Sequence, residues 1–174
     1  MKKNKIVFLG DGGVGKTSII IRYIRSKFES SYLPTLKEDY TNVDIAISPK
    51  EIVKTDIIDT SGQDEFRALS DSMIMQGDLF IIVYSIVDVS SFEKAKEQIT
   101  EVKMLRGNKI NFILVGNKAD LEDERTVQKQ DGKNLATYEK GKFIETSALI
   151  DSGITELFQI AGASFGKKAR CLIY

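Results

Sequence analysis

Gly10-Asp11-Gly12-Gly13-Val14-Gly15-Lys16-Thr17 follows directly on the apolar run Ile6-Val7-Phe8-Leu9. It leads into a stretch with apolar residues at helical spacing, Ile19, Ile20, Tyr23 and Ile24. This is G-x-x-x-x-G-K-[ST] between a strand and a helix, and each position has a physical task. The glycines remove the Cβ atoms that would keep a phosphate away, so that successive backbone N–H groups turn inward as a nest. The helix that begins near Lys16 adds the positive end of its dipole. Lys16 is placed to reach β- and γ-phosphates, and the Thr17 hydroxyl suits Mg²⁺. The expected contacts are Gly12, Gly13, Val14, Gly15, Lys16, Thr17 and Ser18. The motif fixes a nucleoside triphosphate or a similar ligand. It chooses neither the base nor the chemistry.

Outward from this loop, short apolar runs alternate with amphipathic stretches. Ile6–Leu9, Ile57–Ile58, Leu79–Ile86 and Phe112–Val115 have no polar face and read as strands buried on both sides, as in a parallel sheet covered by helices. Val43–Ile47 alternates instead and reads as an exposed edge strand, turned by Pro49 and Lys50 into Ile52–Ile58 as a hairpin. Phe92, Ala95, Ile99 and Val102 mark a helix, with Ser90-x-x-Glu93 as its expected capping box. Ile154, Leu157, Phe158 and Ala161 mark another. The order is β-α-(β-β)-α-β-α-β-α-β-α, an α/β arrangement in a single domain.

Composition narrows the chemistry. The 174 residues hold 25 Lys+Arg against 25 Asp+Glu, a net charge of zero that argues against general nucleic-acid binding. There is no histidine, which excludes Ser-His-Asp and Cys-His nucleophile systems and histidine-ligated zinc. The single cysteine, Cys171, excludes internal disulfides and thiolate metal clusters. No run approaches the roughly 20 apolar residues of a spanning helix. The apolar start ends at Gly10, too soon for a signal peptide, so the cytosol is the expected compartment.

Two further segments each follow a strand: Val115-Gly116-Asn117-Lys118-Ala119-Asp120 and Glu145-Thr146-Ser147-Ala148-Leu149. A carboxylate that accepts two hydrogen bonds suits guanine, which offers N1–H and a 2-amino group, whereas adenine offers no such pair. Here the sequence resembles the small GTPases of the Ras superfamily, over essentially residues 4–166. An ATP-dependent kinase or ATPase would explain the phosphate loop and leave Asn117–Asp120 without a role.

The resemblance implies a P-loop NTPase fold, with a mostly parallel six-stranded sheet, one antiparallel edge strand and about five flanking helices. It implies that Asp120 holds the base edge, that Lys118 and Phe28 sandwich the ring, and that Asn117 braces the phosphate loop. Backbone around Ser147, Ala148 and Leu149 then faces the guanine oxygen. Asp59-Thr60-Ser61-Gly62-Gln63 matches the family's D-x-x-G-Q, with Asp59 holding Mg²⁺ through a water and Gly62 sensing the γ-phosphate. Gln63 would orient the attacking water, because phosphoryl transfer needs positioning and charge neutralisation more than a strong base. Tyr32-Leu33-Pro34-Thr35 matches the first switch, with Tyr32 and Pro34 at the nucleotide and Thr35 as a second hydroxyl ligand to Mg²⁺. The catalytic set is thus Gln63, Lys16, Thr35 and Gly62. Loss of γ-phosphate would release Thr35 and Gly62 together, the behaviour of a monomeric GTP/GDP switch. Its implied partners are effectors, an exchange factor and an activating protein.

Departures from the family pattern carry their own expectations. Ser61 stands where alanine is usual, beside the expected γ-phosphate, and keeps open a guanine-nucleotide module with little useful hydrolysis. Lys37 replaces an acid of the Ras branch in the partner-facing strand. No arginine lies between Phe28 and Tyr40, and Arg67 reads as a solvated switch residue, so slow turnover is expected until a partner supplies arginine. The Tyr32-x-Pro34-Thr35 and Tyr84-Ser85-Ile86 patterns, without a tryptophan before Asp59 or an insert between Asp120 and Ser147, look most like the Ras branch.

Residues 1–166 form the expected nucleotide-binding domain and 167–174 a basic tail, Lys167-Lys168-Ala169-Arg170-Cys171-Leu172-Ile173-Tyr174. Cys171 sits in a C-a-a-X arrangement, so prenylation and attachment to the cytosolic face of a membrane, the plasma membrane first among them, are expected. The tail cations add attraction for anionic lipid.

Overall fold

A computed structural model describes residues 4–26, 37–60, 62 and 67–169. Among the described residues the elements run β1 (Asn4–Gly10), α1 (Lys16–Arg25), β2 (Lys37–Ser48), β3 (Glu51–Thr60), α2 (Arg67–Gln76), β4 (Leu79–Ser85), α3 (Val89–Arg106), β5 (Phe112–Asn117), α4 (Lys129–Tyr138), β6 (Lys142–Glu145) and α5 (Ile154–Ala169), with a 3₁₀ turn at Glu122–Glu124. The strands form one sheet in the order β2-β3-β1-β4-β5-β6. Every pairing is parallel except β2 with β3. The expected six-stranded sheet with one antiparallel edge strand is the observed architecture.

Period-two geometry explains why the central runs have no polar face. Ile6 and Phe8 of β1 join Ile57, Ile81, Val83, Ile113 and Val115 in one core, packed with Ile19 and Ile20 of α1 and Leu157, Phe158 and Ala161 of α5. Val7 and Leu9 join Ile58, Phe80, Ile82, Tyr84 and Leu114 in the opposite core, against Phe92, Ile99 and Val102 of α3 and Ala136 of α4. The central strands therefore bury both faces under helices. Phe158 ties α1 and α5 together by stacking on Tyr23 at 3.8 Å between ring centroids.

The edge strand β2 is covered on one face. Ile45 is fully buried, and a Cβ on Gly162 of α5 would stand 2.8 Å from its side chain, so that glycine is what lets α5 approach. Asp44 and Ala46 remain exposed, as the alternation predicts.

The capping box expected at Ser90 is displaced. Asp88 is the N-cap of α3 and accepts from the N–H groups of Ser90 (2.9 Å) and Ser91 (3.3 Å). Glu93 instead pairs with Lys96. The reason lies in the next residue. Ser91 turns its hydroxyl inward, where it accepts from Ser85 N–H at 2.9 Å and donates to Asp88 O at 2.7 Å. The helix start is thus set by the end of β4 and not by Ser90.

β1 has β3 on one side and β4 on the other, so its outgoing connection leads to one half of the sheet while the rest of the chain builds the other half. A crevice opens outside the carboxyl ends of strands at such a point, and the glycine-rich loop emerges there.

Candidate functional site

The loop after β1 gets its shape from backbone conformation. Gly13 and Gly15 have φ of 75° and 100°, values that L side chains rarely adopt. A Cβ on Gly15 would also lie 2.3 Å from Asn117 Nδ2. Gly15 is the N-cap of α1 and has no side chain to cap it, and no acid lies in its first turn. The positive dipole end of α1 therefore faces this loop, a setting that suits an anion.

Lys16 lies under this loop, only 6% exposed, with Nζ donating to the carbonyls of Gly10 and Asp11 at 2.8 Å each. Burial pulls its pKa down to about 8, opposed in part by Asp59 and Asp11. An ammonium has three donors, so one remains for a ligand. The Thr17 hydroxyl donates to Asp59 Oδ2 at 2.5 Å, and Asp59 is fully buried at the end of β3 beside Phe8 of β1. Next to it, Thr60 Oγ1 donates to Phe8 O at 2.6 Å and fastens the two strand ends. Beyond Thr60, the backbone of Gly62 presses on the phosphate loop: a Cβ there would lie 2.2 Å from Gly12 N. Lys16, Thr17, Asp59 and Gly62 thus converge on one spot at the mouth of the loop.

The second set of expected residues gathers beside it. Asn117, 2% exposed at the end of β5, donates from Nδ2 to Val14 O at 2.9 Å, the brace expected of it. Thr146 Oγ1 donates to Asn117 Oδ1 at 3.0 Å, while Ala119 N–H donates to Thr146 O at 3.0 Å. Lys118 takes a left-handed φ of 65°, which swings the chain toward Asp120. The Ser147 hydroxyl donates to Asp120 Oδ1 at 2.5 Å. Ala148 is buried and Leu149 is half exposed. Phe28, Tyr32, Pro34, Thr35, Ser61, Gln63 and Cys171 lie outside the described residues.

Sequence reasoning missed three supports of this corner. Thr146 is the link between the Asn117–Asp120 and Glu145–Leu149 segments, and its burial beside Asn117 is a tertiary fact that no spacing reveals. Arg125 donates to both carboxylate oxygens of Glu145, at 2.7 and 3.0 Å, and to Glu122 at 2.6 and 2.9 Å. These carboxylates hold its pKa above the ordinary arginine value. Arg22 of α1 donates to Ala148 O at 2.7 Å and Leu149 O at 2.9 Å. In the sequence Arg22 and Arg125 are two charged residues that nothing local sets apart.

The donor set fits Mg²⁺ chemically. A hydroxyl and a carboxylate are hard oxygen donors, and Mg²⁺ needs only one or two protein oxygens when phosphates and water supply the rest. Among the described residues there is no cluster of three or more His, Cys, Asp or Glu side chains that would cage a metal by itself.

A glycine-rich anion loop on β1, a lysine and hydroxyl under it, and a braced carboxylate beside it define a nucleoside-triphosphate-binding α/β protein of the P-loop class. A model described as the Ras family matches residues 5–165. Similar proteins include the Ras-like protein rasU of Dictyostelium discoideum, 39% identical over 158 residues that cover 90% of this chain and 73% of the relative. The Ras-related protein Rab-21 of Bos taurus is 40% identical over 154 residues, covering 88% and 69%. The GTP-binding protein drn-1 of Caenorhabditis elegans is 38% identical over 158 residues, covering 89% and 72%. The chain belongs to the Ras family of small GTPases and is a GTP hydrolase. Identity is nearly the same toward the Ras-like relative and the Rab.

Proposed function

We propose that this GTPase works as a GTP/GDP switch that hydrolyses GTP slowly, binds effectors in the GTP state and sits on a cytosolic membrane face through a lipidated Cys171. The observation that carries the reading is the Asn117–Val14 bond at 2.9 Å, which joins the base-reading strand end to the phosphate loop. A ligand with both guanine and phosphates then meets one rigid unit.

In this reading Asp120 accepts from the base edge, Lys118 and Phe28 cover the ring, and the backbone of Ser147, Ala148 and Leu149 faces the guanine oxygen. Gly12, Gly13, Val14, Gly15 and Ser18 supply backbone N–H groups to the phosphates, with Tyr32 and Pro34 closing over them. Lys16 supplies a compact positive charge. Thr17 and Thr35 hold Mg²⁺ directly and Asp59 through a water, and the ion neutralises charge on the β- and γ-phosphates when bound. Gln63 orients the attacking water, and Gly62 and Thr35 respond to the γ-phosphate. Partners are an exchange factor, an activating protein that supplies arginine, and effectors.

Single-turnover hydrolysis of bound GTP tests this, with ATP as competitor. The expected outcome is one turnover at a rate on the order of 10⁻⁴–10⁻³ s⁻¹, no displacement by ATP, and loss of turnover in Gln63→Leu. A GTP complex that never turns over would support the guanine-binding module that Ser61 suggests, and Ser61→Ala should then restore hydrolysis. Mass spectrometry of protein from its native cell tests the anchor: an unmodified Cys171 that retains Leu172–Tyr174 removes it.

A further inference from the structure

Arg22 lies on α1, outside every motif that reads nucleotide, yet its guanidinium faces the base-reading loop. Nε donates to Ala148 O at 2.7 Å and Nη2 to Leu149 O at 2.9 Å. Nη1 reaches Ser26 O at 3.4 Å, at the C-terminal end of its own helix. Consecutive loop carbonyls are therefore turned toward α1 by one planar, rigid fork, a task for which arginine is better shaped than lysine. A trans peptide is planar, so the N–H that shares a plane with a bound carbonyl points the opposite way. The Leu149 carbonyl shares its plane with Ile150 N–H, and that N–H donates to Ser147 Oγ at 3.3 Å. With this acceptor role filled, the Ser147 hydroxyl directs its single proton to Asp120 Oδ1 at 2.5 Å. A continuous chain thus runs from Arg22 through the Leu149–Ile150 peptide and the Ser147 hydroxyl to the Asp120 carboxylate.

We propose that Arg22 is a positioning residue for base recognition, fixing the orientation of the Asp120 carboxylate through this chain. The proposal rests on the guanine reading above. A carboxylate oxygen has two lone pairs, so Asp120 Oδ1 accepts from Ser147 and keeps capacity for a base. What the Ser147 bond removes is rotation about the carboxylate's own axis. Guanine engages that carboxylate with N1–H and the 2-amino group together, so its orientation matters more for guanine than for hypoxanthine, which lacks the amino group. Arg22 would then contribute to the discrimination between these bases without touching either.

The test measures dissociation of GDP and of inosine diphosphate from the full chain with Mg²⁺, in the wild type, Arg22→Met, Arg22→Gln and Ser147→Ala. Arg22→Met keeps the aliphatic stem and removes the donors. The expected result is that GDP leaves about tenfold faster from Arg22→Met and that the ratio of inosine diphosphate to GDP dissociation rates falls about threefold. Arg22→Gln, able to donate to one of the carbonyls, should recover part of both. Adding Arg22→Met to Ser147→Ala should lower the ratio no further, since both cut one chain. An unchanged ratio in Arg22→Met, with only a lower melting temperature, would make Arg22 a structural tie and overturn the proposal. If Arg22→Met does not fold, the same ratio in Arg22→Gln and Ser147→Ala decides it. A wild type that holds the two nucleotides equally would remove the guanine reading itself, and the proposal with it.

Discussion

The two ends of the proposed nucleotide site are built by opposite means. At the phosphate end the shape is made of backbone and missing side chains, with Gly13 and Gly15 at left-handed φ and Gly62 pressed against Gly12 N. At the base end the shape is made of braces: Asn117 on Val14 O, Thr146 on Asn117, Ser147 on Asp120, Arg22 on the loop carbonyls and Arg125 on Glu145. A site made of absent atoms fails when a carbon is added. A site made of braces fails when an atom is taken away.

Gly15→Ala is the strongest way to test the first half of that contrast. The added Cβ meets Asn117 Nδ2 at 2.3 Å and has to adopt a φ of 100°. Left-handed strain of about 1–2 kcal/mol joins the loss of a buried hydrogen bond worth about 1–3 kcal/mol. GTP affinity should fall more than a hundredfold by equilibrium titration. Gly13→Ala, whose Cβ would meet nothing within 4 Å, should cost only the strain and weaken binding about tenfold. Equal losses in the two variants would mean that conformation alone, and not the contact with the base-side brace, makes the glycine necessary.

Arg125→Met tests the second half. The Arg125 and Glu145 side chains are 8% and 9% exposed, so removing the cation strands a buried carboxylate beside the base loop. Such breaks cost about 3–5 kcal/mol when wholly buried. Here the mostly exposed Glu122 shares the guanidinium, and about 2–3 kcal/mol is the fitting expectation. Chemical denaturation should show this loss, accompanied by faster GDP release. Replacing both partners by apolar residues should recover much of the stability, because no stranded charge is left.

The same contrast decides what could be read from the chain. The phosphate loop is contiguous, its residues are dictated by φ and by the lack of Cβ atoms, and eight consecutive letters, Gly10 to Thr17, state it completely. The sheet was legible for a related reason: buried parallel strands leave uninterrupted apolar runs such as Phe80–Val83. The braces were not. Arg22 and Leu149 are 127 positions apart, and nothing local in an arginine on an amphipathic helix announces which carbonyls it will meet. The cap of α3 failed by the same logic, because Ser91 is drawn inward by the end of β4, a contact that a capping pattern does not contain.

Lys16 offers a pH-dependent distinction. Its folded pKa is pulled from 10.5 to about 8 by burial, while a bound polyphosphate would raise it again. Nucleotide binding therefore takes up a proton above pH 8, and affinity should fall about tenfold between pH 7 and pH 9. The nucleotide-free protein moves the other way. Its folded pKa lies below the unfolded value, so the unfolded chain binds more protons between pH 8 and 10.5, and this group's contribution makes the fold more stable as pH rises through that window. Titration of affinity and of melting temperature over the same range should give opposite slopes. Parallel slopes would show that the buried ammonium is not what the phosphate end relies on.

The smallest effect sharpens the comparison by standing outside both ends. Asp88 caps α3 through Ser90 and Ser91 N–H, and the Ser90 hydroxyl, foremost, with these N–H groups holds its pKa below the ordinary aspartate value. The cap is therefore complete at neutral pH, and its contribution is lost as pH falls through that lowered pKa. Removing it in Asp88→Ala should cost about 1 kcal/mol, a drop of about 2–4 °C in melting temperature for a domain of this size. GDP release should stay near the wild-type rate. If this general loss of stability accelerated release as much as Arg125→Met does, the braces at the base end would be contributing stability alone, and the proposed division of labour between the two ends would collapse. Release that responds to Arg125 and Arg22 but not to Asp88 would instead tie nucleotide retention to the bonds that hold the base loop in place.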